Sequence, residues 1–153
     1  LLDWERASTI PWEVLLLFSG GICLASGFVA SGLSDIMGEA LAGLTDMPVW
    51  LLLLLICLAV TFMTETTSNT ASTTLLMPVP AAAALAADLP PELIMVPAAM
   101  SASCAFMLPV ATAPNSVVYG SGLITTAQMA REGLLLNLLG AVVISSLCYV
   151  LVS

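Results

Sequence analysis

The chain has 153 residues, 60% hydrophobic and only 8% charged, with two Arg, no Lys, no His and a formal net charge of −8; its mean hydropathy is +1.12. Soluble domains carry roughly 25% charged residues, so one core of this size could not hide the apolar surface, and long uniform apolar runs read as an all-α, multi-span membrane protein rather than an alternating outer-membrane barrel. The same counts exclude His-based proton relays, His metal ligands and nucleic-acid binding, and any anion handled here must be held without a cluster of Lys and Arg.

The chain opens at Leu1 with no basic stretch before a short apolar core, which predicts no signal peptide and a C-terminal piece of a longer protein. Residues 12–33 read as a transmembrane helix, because 14–34 carries no charge and about 20 apolar residues cross the hydrocarbon core. Residues 34–45 place Ile36, Met37, Leu41 and Leu44 on one side and Asp35 and Glu39 on another. This segment reads equally as an interfacial helix or as a capped loop helix, since an acidic polar face is unusual at a membrane surface.

Residues 47–87 form a helical hairpin with its tip at 67–70. Two charge-free runs, 47–64 and 66–87, flank Glu65 and a polar cluster of Thr64, Thr66, Thr67, Ser68, Asn69, Thr70, Ser72, Thr73 and Thr74. Two full spans with a tight turn fit the pattern, and so does a re-entrant hairpin ending at mid-membrane. In either case the outer ends emerge on one side. A non-helical tip is tolerated only if protein buries it or it lines a watery cavity. Glu65 is an ionisable group at membrane depth. A structural acid bonded to the polar tip is favoured over a ligand, because a fixed anion would repel an anionic substrate.

Residues 92–121 read as a broken helix. The uncharged run 93–130 would measure about 57 Å as one straight helix, too long for a single span. Pro109 and Pro114 remove helical donors and disfavour helix before each, which predicts a break at 111–115, with helix to about Val110 and again from about Asn115. Residues 133–152 read as a simple transmembrane helix. Cys23, Cys57, Cys104 and Cys148 lie in apolar runs without CxxC spacing and are expected as packing residues. Counting spans puts Arg6 and Arg131 on one side and Asp35, Glu39, Asp46, Asp88 and Glu92 on the other. The positive-inside rule makes the Arg side cytoplasmic and the C-terminus extracytoplasmic.

The two breaks share a signature. Asn69-Thr70 and Asn115-Ser116 each put an Asn and a hydroxyl where an apolar helix opens. Such openings expose free N–H groups and a positive dipole end, which suit a carboxylate. The carbonyls ending the preceding helices suit a small hard cation such as Na⁺. Discontinuous helices meeting at the midplane build secondary-transporter sites this way. The rival reading of each polar cluster is helix–helix packing, and of each proline a structural kink.

At these breaks the sequence resembles the divalent anion:sodium symporter family of di- and tricarboxylate and sulfate carriers. The hairpin tip carries that family's Ser68-Asn69-Thr70 motif. The second break carries its longer signature, Ala102-Ser103-Cys104-Ala105-Phe106-Met107-Leu108-Pro109-Val110-Ala111-Thr112-Ala113-Pro114-Asn115-Ser116-Val117-Val118, matched at every fixed position. The resemblance runs from about Pro11 to the end and corresponds to the C-terminal inverted repeat.

It implies an elevator-type transporter in the cell membrane, homodimeric and completed by the N-terminal repeat of the same protein. It implies substrate-carboxylate contacts from Ser68, Asn69, Thr70 and Ala113, and a sodium site near Thr64, Thr67, Asn69, Ala111 and Ala113. One departure stands out: the family commonly has Thr-Pro-Pro-Asn where this chain has Thr112-Ala113-Pro114-Asn115. Ala113 restores an N–H donor, which leaves both sodium coupling and anion exchange open. The expected function is Na⁺-coupled symport of small dicarboxylates such as succinate, malate or fumarate. The alternatives are a sodium-independent dicarboxylate exchanger, a sulfate or tricarboxylate carrier, or a structural membrane subunit. An enzyme is not expected, because Ser68 and Ser103 have no His or Lys to activate them.

Overall fold

A computed structural model describes residues 3–10, 12–33, 35, 36, 39, 47–86 and 89–152. Among these the regular structure is all α-helix. The helices are α1 (Trp4–Ala7), α2 (Trp12–Ala30), α3 (Val49–Thr64), α4 (Asn69–Leu76), α5 (Pro78–Ala86), α6 (Pro91–Ser101), α7 (Ala113–Gly120) and α8 (Thr126–Val152). Most of the segment expected as an interfacial helix, 34–45, lies outside the described residues, as do Asp46, Asp88 and Ser153.

Local chemistry accounts for most boundaries. Proline opens α5 at Pro78 and α6 at Pro91, where a missing N–H costs nothing and φ is already helical. The start of α8 is a reciprocal cap. Thr125 Oγ1 accepts from the Gln128 N–H at 3.3 Å, and the Thr125 N–H donates to Gln128 Oε1 at 2.9 Å. This Thr-x-x-Gln box starts the last helix at Thr126, seven positions ahead of the expected 133. Thr126–Leu151 is long and apolar enough to cross a membrane.

The interruption expected at 111–115 is longer and begins earlier. Helix α6 stops at Ser101 and α7 starts at Ala113, so residues 102–112 are non-helical. The prolines account for the late part of this stretch. Its early part is held open by Glu65, a tertiary partner, as described below.

Helix α3 is central and packs against α4, α6 and α8; α6 also meets α5 and α8, and α2 crosses α4 and α5. Small residues allow the close approach. Cys57, Ala141, Ile144 and Cys148 form one buried cluster, and Val60, Ala98 and Ala102 form another. The expected packing role therefore holds for Cys57 and Cys148, with Cys104 packed beside them and Cys23 exposed. On α8 the buried residues Met129, Gly133, Asn137, Ala141, Ser145 and Cys148 recur at three- and four-residue steps, which makes one helical stripe. The opposite face exposes Leu135, Leu139, Val143 and Val150, a lipid-like composition.

Candidate functional site

Residues 65–70 and 102–113 come together although they are some 40 positions apart. Between them lies a cavity of about 440 Å³, lined by Thr66, Thr67, Ser68, Asn69 and Thr70 on one wall and Val110, Ala111, Thr112, Ala113 and Ser116 on the other. The four positions expected at the substrate, Ser68, Asn69, Thr70 and Ala113, all line it. Of the expected sodium positions, Thr67, Asn69, Ala111 and Ala113 line it as well. Thr64 is fully buried and stands behind Asn69. Pro109, Pro114 and Asn115 shape the second wall without lining the cavity.

Two helices present their N-termini to this space. Asn69 and Thr70 open α4, and the first N–H groups of a helix have no acceptor within it. Ser68 does not cap them with its side chain. At α7 the supply is smaller. The Asn115 N–H is taken by Thr112 Oγ1 at 3.3 Å, and Pro114 has none, so Ala113 contributes the remaining donor at that end. The cavity lining contains no basic side chain.

Thr64 couples the first wall to the loop. Its Oγ1 lies 2.7 Å from Asn69 Oδ1 and 2.9 Å from the Ala102 carbonyl oxygen. A hydroxyl has one proton, so it serves one of these acceptors at a time. Turning the Asn69 amide end for end satisfies both contacts: Asn69 Nδ2 donates to Thr64, and Thr64 donates to Ala102. That orientation turns the side-chain oxygen Oδ1 of Asn69 away from Thr64, while the backbone oxygen of Asn69 keeps its bond from Thr73 Oγ1. Thr67 donates to the Met63 carbonyl at 3.0 Å and also pairs with Ser72, which fixes the tip from both sides.

Glu65 organises the second wall from behind. Glu65 as a residue is 4% exposed. Oε1 accepts from the Phe106 N–H at 2.8 Å, the Met107 N–H at 2.9 Å and Asn137 Nδ2 at 2.7 Å; Oε2 accepts from the Leu108 N–H at 3.0 Å. Three successive N–H groups form a nest, a concavity suited to an anion. Here the anion is the protein's own side chain. Four N–H donors, and no cation, meet the carboxylate among the described residues. Glu65 is held as a structural acid, but its partners are the 106–108 loop and Asn137 instead of the polar tip that the sequence reading expected. On the other side of the loop, Asn115 Nδ2 donates to the carbonyls of Ala105 at 2.9 Å and Leu108 at 3.0 Å. Residues 105–108 are thus pinned by their N–H groups and by their carbonyls.

The sequence reading of 133–152 as a simple span missed two residues of this assembly. Asn137 is fully buried and holds Glu65. One turn before it, Gly133 passes so close to the loop that an added Cβ would meet the Phe106 carbonyl oxygen at 2.3 Å. The available signal was an amide and a glycine four apart with only leucines between them.

Comparison with known proteins gives a consistent result. The family described as the sodium:sulfate symporter transmembrane region matches residues 1–151. A protein of Staphylococcus saprophyticus called sodium-dependent dicarboxylate transporter SdcS is 46% identical over 152 residues, 99% of this chain. Its namesake in Staphylococcus aureus strain USA300 is 44% identical over 149 residues, 97% of this chain. The chain spans 29% of the length of each of these curated relatives.

Proposed function

The chain belongs to the sodium:sulfate symporter transmembrane-region family, and from that premise we propose that the full-length protein is a secondary active transporter coupling Na⁺ to a small dicarboxylate, with this chain as its C-terminal repeat. The observation that carries the reading is the cavity between residues 66–70 and 110–113. It offers helix N-termini, hydroxyls and one amide, and no fixed positive charge.

A dicarboxylate brings about two negative charges. Two helix ends contribute about half a charge each at most, and dipoles alone do not offset the desolvation of a dianion. A sodium ion beside the anion supplies the missing charge. In this reading the N–H groups at Asn69 and Thr70, the Ser68 hydroxyl and the Ala113 N–H take a substrate carboxylate. The carbonyls around Thr67 and Ala111, with Asn69 Oδ1 and Thr64 behind it, take Na⁺. The N-terminal repeat of the same protein completes the site, and two protomers pair as a homodimer. The 47–87 segment is a re-entrant hairpin with its tip in the membrane interior, and Arg6 and Arg131 lie on the cytoplasmic side. No enzymatic step is assigned, because neither Ser68 nor Ser103 has a base to activate it.

Ala113 supports a second reading. An N–H donor stands where the family's usual proline has none, and added anion-binding capacity at that wall fits a sodium-independent exchanger. Uptake of labelled succinate into proteoliposomes of the full-length protein, with and without an inward Na⁺ gradient, separates the two. Sodium-driven accumulation is expected. Uptake that needs internal dicarboxylate and ignores sodium would replace symport with exchange.

A further inference from the structure

The transport reading leaves Glu65 and Asn137 without a part, because neither lines the cavity. Yet Glu65 directly precedes the wall at 66–70, and its nest at 106–108 is separated from the wall at 110–113 by Pro109 alone. The carboxylate is therefore the joint between the two walls. The loop 102–112 has no helical ladder to hold its shape. Its N–H groups at 106–108 depend on Glu65. Asn137 reaches the same Oε1 from α8, and no residue of α8 lines the cavity.

We propose that Glu65 is a positioning residue for ion and substrate binding: by holding the Phe106, Met107 and Leu108 N–H groups it sets the spacing of the two cavity walls, and Asn137 on α8 fixes the carboxylate that does so. The inference rests on reading the cavity as the sodium and carboxylate site. A cation site requires its oxygens within about 0.5 Å of their working positions. Carbonyls carried by an unladdered loop meet that demand only if the loop is pinned. Glu65→Gln keeps the volume but not the bonding. An amide has one oxygen for four donors, and its NH₂ faces a backbone N–H, donor against donor. The loop must then shift while the surrounding packing stays filled.

The test is a sodium titration of succinate uptake by the full-length protein in proteoliposomes, with wild type, Glu65→Gln, Asn137→Ala and the double variant. The half-saturating Na⁺ concentration should rise about tenfold in each single variant, the size of one lost charge-assisted hydrogen bond. The succinate KM at limiting Na⁺ should rise with it, while the maximal rate per correctly assembled protein stays within about twofold. The double variant should be no worse than Glu65→Gln, since Asn137 acts through that carboxylate. A structural role alone would lower the amount of active protein and leave half-saturation unmoved, and that result in Glu65→Gln overturns the proposal. If Glu65→Gln does not assemble, as judged by size-exclusion profile, Asn137→Ala decides by the same readout. A wild type indifferent to sodium sinks the symport reading instead. Succinate KM in sodium-free exchange is then the readout, and a wild-type KM in Glu65→Gln overturns the positioning role.

Discussion

Asn137 Nδ2 donates a 2.7 Å hydrogen bond to Glu65 Oε1 across 72 positions of sequence, and both groups are buried. This bond fastens the end of α3 to the last helix. It also completes a four-donor shell around a carboxylate that has no cation beside it in that shell. Removing one partner of such a pair leaves a buried polar group uncompensated, which costs more than the bond itself contributes.

Gly133 is predicted to be intolerant of a methyl group. A Cβ there would lie 2.3 Å from the Phe106 carbonyl oxygen and 2.5 Å from its carbonyl carbon, both backbone atoms that no rotamer change can move. Gly133→Ala should cost about 1–3 kcal/mol of stability, typical of overpacking. Thermal unfolding of the full-length protein in detergent checks it. A melting midpoint equal to wild type would mean that the loop yields freely.

Asn69→Ala is expected to abolish transport at low substrate while the protein stays folded and inserted. Asn69 opens α4, lines the cavity and pairs with the buried Thr64 hydroxyl. Losing a hydrogen bond to a charged ligand costs roughly 1.5–3 kcal/mol, or about 10- to 150-fold in affinity. Near-normal uptake at low succinate would remove Asn69 from the site.

The orientation is testable with single cysteines. In a cysteine-free background, Arg131→Cys should react with an impermeant thiol reagent only from the cytoplasmic side, and Glu92→Cys only from outside. Both positions are exposed. The expectation follows from the charge bias, with both Arg on one side and no Lys or Arg on the other. Labelling of position 131 in intact cells would invert the topology.

Sodium and succinate should bind cooperatively, each tightening the other by the same factor, as linkage requires; about 1–3 kcal/mol is typical of such coupling. Calorimetry of succinate binding in Na⁺ and in choline at equal ionic strength measures it. Equal affinities would count against a shared charge-balanced site and in favour of exchange.

What the sequence determined by itself was what depends on nearest neighbours along the chain. Uncharged runs announced membrane helices, because each residue's transfer cost is a local property. Asn69 marked a helix start, and Pro109 and Pro114 marked a break, because a missing donor acts within one turn. Thr125-x-x-Gln128 is a signal of the same local kind, which the reading that began the last helix at 133 passed over. Which polar residues would share one cavity was approachable through the Asn-hydroxyl signature common to the two breaks, the Ser68-Asn69-Thr70 motif and the long signature at 102–118. The tertiary structure alone decided the rest. The break opens at Ala102, well before either proline, because N–H groups at 106–108 leave the helix for a carboxylate some 40 positions away. The partners of Glu65 are four donors from two distant segments, not the neighbouring polar tip that its local sequence suggested. Asn137 and Gly133 gained their roles by facing α3 and the loop instead of lipid. Buried long-range hydrogen bonds are strong because water does not compete for them, and their partners are chosen by packing, which no local pattern encodes.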